Sequence, residues 1–124
     1  MEHAYFSRAA TWNRVEDRLI VHDSFGPEAP RMVVMEELQE MLFMAANGSQ
    51  RFGDYCSLLL EQFEENPPED LRPRLLDALA ALVKEELIRL HDEPEELPSY
   101  FEEDYFDRDP ELRAMQMRKD GLID

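Results

Sequence analysis

Three observations predict an α+β chain in which a small three-stranded antiparallel sheet is followed by three helices and an acidic C-terminal extension. Residues 11–35 carry short β-prone runs separated by turn formers, residues 36–90 switch to three- and four-residue apolar spacing, and acids crowd the segment after His91. At 124 residues the chain is one domain by size, and an apolar share of 44% excludes wholesale disorder.

Residues 1–10 read as an N-terminal arm. In TWNRVEDRLIVHD (11–23), Glu16-Asp17 lies between two β-prone runs as a hairpin turn, with Leu19 and Val21 on one face and Ile20 and His22 on the other. A breaker-rich loop, Phe25-Gly26-Pro27-Glu28-Ala29-Pro30, leads into a third short strand, Arg31-Met32-Val33-Val34-Met35. From Glu36 the period becomes helical. Met35, Leu38, Met41, Leu42 and Ala45 share a face, and Glu36, Glu37 and Glu40 fall near the first turn, where the helix dipole favours acids.

Asn47-Gly48 can take the left-handed conformation that ends a helix, which sets the first helix at 36–46. Ser49 is the candidate N-cap of a second, carrying Phe52, Tyr55, Cys56, Leu59, Leu60 and Phe63 and ending near Glu65, because Asn66-Pro67-Pro68 cannot continue it. With Asp70 as N-cap of the third helix, Pro73 takes the third helical position, where its missing N–H costs no bond. Leu75, Leu76, Leu79, Leu82 and Val83 form that helix's apolar face, and residues 87–90 are either a strand or its frayed end.

Between His91 and Asp124 twelve acids face Arg108, Arg113, Arg118 and Lys119, so this segment holds about half of the net charge of −16. Its Leu97, Tyr100, Phe101, Tyr105 and Phe106 are too many large apolar groups for a purely solvating tail, and Asp109-Pro110-Glu111 is a sound helix start. Tyr100, Phe101, Tyr105 and Phe106 are therefore candidate partner-contact residues. A field of this sign repels phosphate backbones and anionic lipid, which argues against nucleic acid or a membrane as partner. No run approaches the roughly 18 apolar residues of a membrane span, and MEHAYFSRAATWNR lacks a signal-peptide core, so a cytoplasmic protein is expected.

No cofactor, metal site or catalytic residue is expected. His3, His22 and His91 are scattered without ligand spacing, and the lone Cys56 has no partner for a disulfide and reads as a small core residue. Adjacent acids such as Glu36-Glu37, Glu64-Glu65, Glu85-Glu86, Glu95-Glu96 and Glu102-Glu103 point in different directions on a helix and read as solvated faces. Asn47-Gly48-Ser49 matches a glycosylation acceptor but reads as a turn, given the compartment. The glycines form no phosphate loop, and no G-x-S-x-G setting occurs. What remains is a non-catalytic binding protein.

A small sheet and three helices, the first two joined by a tight Asn-Gly turn, is the order of a winged-helix-like domain, here over residues 11–91 with the extension at 92–124. The stretch MEELQEMLFMAANGSQRFGDYCSLLLEQF (35–63) resembles the central signature of PqqD-type peptide chaperones, the RiPP precursor recognition elements. Leu42-Phe43 matches their apolar pair, Asn47-Gly48 their turn, Asp54-Tyr55 their acid-apolar pair and Phe63 their closing aromatic. Arg51 stands where the family commonly has a capping threonine, Glu36 where asparagine is frequent, and Gln39 replaces a small residue.

The resemblance, which spans roughly residues 11–90, implies an adaptor that binds the leader segment of a ribosomally made precursor peptide and presents it to a modifying enzyme, often a metalloenzyme. In that family the peptide adds as a strand beside the third strand, in a groove against the third helix. This implies a peptide-binding set of Arg31, Met32, Val33, Val34 and Met35, faced by Leu75, Leu79 and Leu82. Two other classes stay open: an acidic secretion-type chaperone for an effector segment, with residues 100–106 as a dimer contact, and a DNA mimic or anti-regulator whose carboxylates imitate phosphates. DNA reading by the helix-turn-helix itself is disfavoured, since the second helix offers only Arg51 as a cation.

Overall fold

In the computed structural model, which describes residues 2–23, 27–63, 69–102, 104 and 110–121, the expected N-terminal arm contains strand β1 (Tyr5–Arg8). Its Phe6 is wholly buried and packs edge-on against Phe52, ring centroids 5.8 Å apart, so the start of the chain belongs to the core. Strands β2 (Thr11–Val15) and β3 (Arg18–Asp23) form the expected hairpin, with Glu16 at a φ of 57° in the turn. Strand β4 (Arg31–Val34) pairs antiparallel with β3. Leu19 and Val21 are buried on one face and Ile20 and His22 half-buried on the other, as a period of two requires.

Helix α1 (Glu37–Ala45) starts after Glu36, whose N–H donates to Gln39 Oε1 at 3.1 Å, the back-bond of a capping box. Asn47-Gly48 is not a bare turn, because it opens strand β5 (Asn47–Arg51). Ser49 therefore does not cap the next helix. Its N–H and hydroxyl both donate to Asn47 Oδ1, at 3.0 and 2.9 Å, and Arg51 takes the N-cap position of α2 (Phe52–Glu61). Residues 64–68, where that helix was expected to break, lie outside the described residues. Helix α3 (Leu71–Lys84) starts from Asp70 with Pro73 third, as expected, and residues 88–91 form strand β6 (Ile88–His91). Helices α4 (Ser99–Glu102) and α5 (Pro110–Lys119) lie in the extension.

The α+β class holds, with two three-stranded antiparallel sheets among the described residues, β5-β1-β6 and β2-β3-β4, in place of the single sheet followed by three helices. The difference comes from β1, which pairs with both β5 and β6 and draws them into a second sheet. One main core, including Phe6, Trp12, Leu42, Phe43, Phe52, Leu75, Leu79 and Ile88, joins sheets and helices.

The extension is anchored to this body. Leu97, Tyr100, Phe101 and Met117 form a small second core, and the Phe101 carbonyl accepts from Arg8 Nε at 2.9 Å and Trp12 Nε1 at 2.7 Å. Arg8 Nη1 also donates to the carbonyls of Phe43 and Met44, at 3.2 and 2.7 Å, in the last turn of α1. Burial lowers the pKa of this guanidinium, with Glu102 opposing the shift. The Arg14 N–H donates to the Asp104 carboxylate at 2.8 Å, and the Glu95 N–H to the Gly48 carbonyl at 2.9 Å. Gly48 has a φ of 81°, and a Cβ there would collide with the Glu95 carbonyl oxygen.

Arg8→Ala strips a charged donor from three carbonyls and is expected to cost more than about 2 kcal/mol, seen as a lower urea midpoint at unchanged slope. Leu79→Ala, by opening a cavity in the main core, should cost about 2–5 kcal/mol in the same titration.

Candidate functional site

Among the described residues, strand β4 is the outer strand of its sheet. The Met35 N–H donates to the Leu19 carbonyl at 2.9 Å. Since backbone groups alternate along a strand, Arg31 and Val33 turn theirs inward to β3, and Met32 and Val34 turn theirs to the open edge. The side chains of Met32 and Val34 are 71% and 51% exposed, whereas Val33 packs against the core and Met35 is buried. Of the five residues expected on this strand, two present side chains and backbone alike to the outside.

Arg31 fixes the start of the edge. Its guanidinium meets Asp23 at 3.0 Å, Glu28 at 3.0 Å and Glu85 at 2.8 Å, and these carboxylates, led by the hydrogen bond to Asp23, raise its pKa. The Glu85 contact ties β4 to the end of α3. Leu75, Leu79 and Leu82, expected to wall a groove facing β4, are instead buried in the main core. Helix α3 packs on α1 and β6, and its end reaches β4 through Glu85. Just past β4, Glu36, Leu38, Met41, Leu59, Phe63 and Leu71 line an open depression of about 480 Å³ in which Phe63 is 40% exposed.

The expected partner-contact aromatics are placed differently from the sequence reading. Tyr100 and Phe101 are 3% and 1% exposed, packed edge to face in the second core, because the extension folds back on its own chain. The Tyr100 hydroxyl donates to Asp120 at 2.5 Å, and burial, then this carboxylate, push its pKa up. Tyr105 and Phe106 lie outside the described residues. The chain matches no family model, no curated protein and no solved structure.

A second cavity, of about 340 Å³, opens where the extension crosses sheet β5-β1-β6, and Ser7, Arg89, His91 and Glu95 are among its lining residues. Ser7 Oγ lies 2.6 Å from His91 Nε2, and His91 Nδ1 lies 3.3 Å from Glu95 Oε2. Sequence reasoning missed this cluster. Its only local trace is the four-residue step from His91 to Glu95, and Ser7 stands 84 positions from His91.

Among the described residues no group of three or more His, Cys, Asp or Glu side chains could hold a metal ion, and no helix is long and apolar enough to cross a membrane. Cys56 is wholly buried, and burial pushes its thiol pKa up, against a smaller opposing effect of Arg72. A thiolate is the reactive form, so Cys56 should resist a colorimetric disulfide reagent in the native chain and react fully only in denaturant.

Proposed function

We propose that this chain is a peptide-binding adaptor that takes up an extended segment by strand addition at β4 and presents it to a modifying enzyme. The observation that carries the proposal is the open edge itself, where Met32 and Val34 turn both backbone groups and exposed side chains outward. An exposed strand edge is a template for another strand, with backbone hydrogen bonds supplying affinity and alternate side chains supplying selectivity.

The resemblance of residues 35–63 to RiPP precursor recognition elements points to the leader segment of a precursor peptide as the occupant, and to a metalloenzyme among the candidate partners. The winged-helix-like part of that reading rests on β2, β3 and β4 followed by α1, α2 and α3, with β1, β5 and β6 added. The methionine on the edge suits varied ligands, because its thioether chain adapts to irregular surfaces. The acidic secretion-chaperone reading loses its proposed dimer contact at Tyr100 and Phe101, which are covered by their own chain.

The test is co-purification from the native host, followed by intact-mass and proteomic analysis of the bound material. A short precursor peptide with its modifying enzyme is the expected catch, and a large effector or a DNA-binding protein in their place would overturn the adaptor reading. Met32→Pro removes an outward N–H and no ladder bond, so the melting curve should stay near that of the parent while peptide capture is lost. Val33→Pro, which cuts an inward bond, should unfold the sheet. A natively folded Met32→Pro variant that still captures the peptide would exclude β4 as its site.

A further inference from the structure

The face of sheet β5-β1-β6 that the extension crosses brings together side chains that the adaptor reading does not use, Ser7 among them and buried. Alternation puts Tyr5 and Ser7 of β1 on one face, and the register sets His91 opposite Tyr5 and Arg89 opposite Ser7 on β6. The pairing of β1 with β5 is irregular between Tyr5 and Ser7, the kind of local distortion that re-aims a side chain. Ser7 and His91 thereby meet at 2.6 Å, and the chain leaving β6 carries Glu95 to 3.3 Å from the other ring nitrogen of His91. All three border the 340 Å³ cavity, a volume that suits a small molecule, and Leu97 and Phe101 give it an apolar wall.

We infer that Ser7, His91 and Glu95 form a serine acyl-transfer site in this cavity, with Arg89 beside the reacting carbonyl, acting on esters of short apolar acids. The geometry is that of a nucleophile, a base, and an acid that orients the base. In the tautomer that carries its proton on Nδ1, the nitrogen 3.3 Å from Glu95, His91 presents the Nε2 lone pair to the Ser7 hydroxyl. Glu95 is a positioning residue, since it acts through His91.

In the first step the Ser7 hydroxyl proton passes to His91 Nε2 while Oγ bonds to the acyl carbon, and the carbonyl oxygen takes up negative charge next to the Arg89 guanidinium. Breaking the ester C–O bond then releases the alcohol, which leaves with the proton from His91. A water molecule repeats the sequence. It gives a proton to His91, its oxygen bonds to the acyl carbon, and Ser7 Oγ departs and recovers that proton. The balance is ester plus water to acid plus alcohol, with no other reactant. The cavity's acids, Glu95, Glu96 and Asp120, fit uncharged esters better than anionic ones.

The experiment treats the full chain with a fluorophosphonate probe, maps the adduct by peptide mass spectrometry, and follows hydrolysis of 4-nitrophenyl acetate. The expected result is one adduct, on Ser7, and hydrolysis that disappears in Ser7→Ala. His91→Gln should slow turnover by about 100-fold, the usual contribution of a general base. Glu95→Gln should lower kcat at unchanged KM, a split that a merely structural residue would not give. A natively folded parent chain with no adduct on Ser7 overturns the inference whatever the variants do, and so does undiminished labelling in a folded His91→Gln. Neither outcome bears on β4, where peptide capture is read separately.

Discussion

One carbonyl oxygen and one guanidinium tie the extension to both sheets and to the first helix. Arg8 and Trp12 both donate to Phe101, and Arg8 reaches on to Phe43 and Met44. A buried cation carries a desolvation cost, and here carbonyls offset it, two of them at the negative end of the α1 dipole. The same two side chains belong to β1 and β2, one in each sheet. Both sheets, the first helix and the extension thus converge on a single polar node inside an apolar body. The acidic C-terminal segment is, for this reason, a structural layer of the domain.

That layer also explains why the sheet edges differ. The outer side of β2 is met by the extension, with the Asp104 carboxylate receiving the Arg14 N–H. On the opposite side of the same sheet, β4 has Arg31 fixed by three carboxylates at its start and exposed apolar side chains beyond. One side of the sheet is thus stoppered and the other left available, the asymmetry on which the proposed strand addition relies. The strong negative charge of the chain meanwhile discourages copies of itself from pairing there.

The sequence made the locally determined parts legible. The β2–β3 hairpin, α1, and the start of α3 at Asp70 with Pro73 tolerated in its third position all follow from period, turn chemistry and capping, which act within a few residues. Strands β1 and β5 were not legible, because their four and five residues become strands only by pairing with each other and, for β1, with β6. The apolar faces were visible without their destinations. Leu75, Leu79 and Leu82 are a helix face whichever way it points, and Tyr100 and Phe101 are an apolar excess whether they meet a partner or their own chain. The Ser7–His91–Glu95 cluster depends on β1 and β6 lying side by side, which no short-range pattern encodes.

Gly48 acts on its surroundings through the main chain alone. It contributes no side chain, yet its φ of 81° and the closeness of the Glu95 carbonyl leave room for nothing larger than hydrogen. Glu95 is also the residue that touches His91, so a methyl group added at Gly48 would be felt at His91 through a displaced main chain. The Gly48 main chain and the His91 and Glu95 side chains are mechanically linked, so substitutions at the two places should not add independently. What a change at His91 or Glu95 does to the chain is conditional on a glycine that meets no ligand and performs no chemistry.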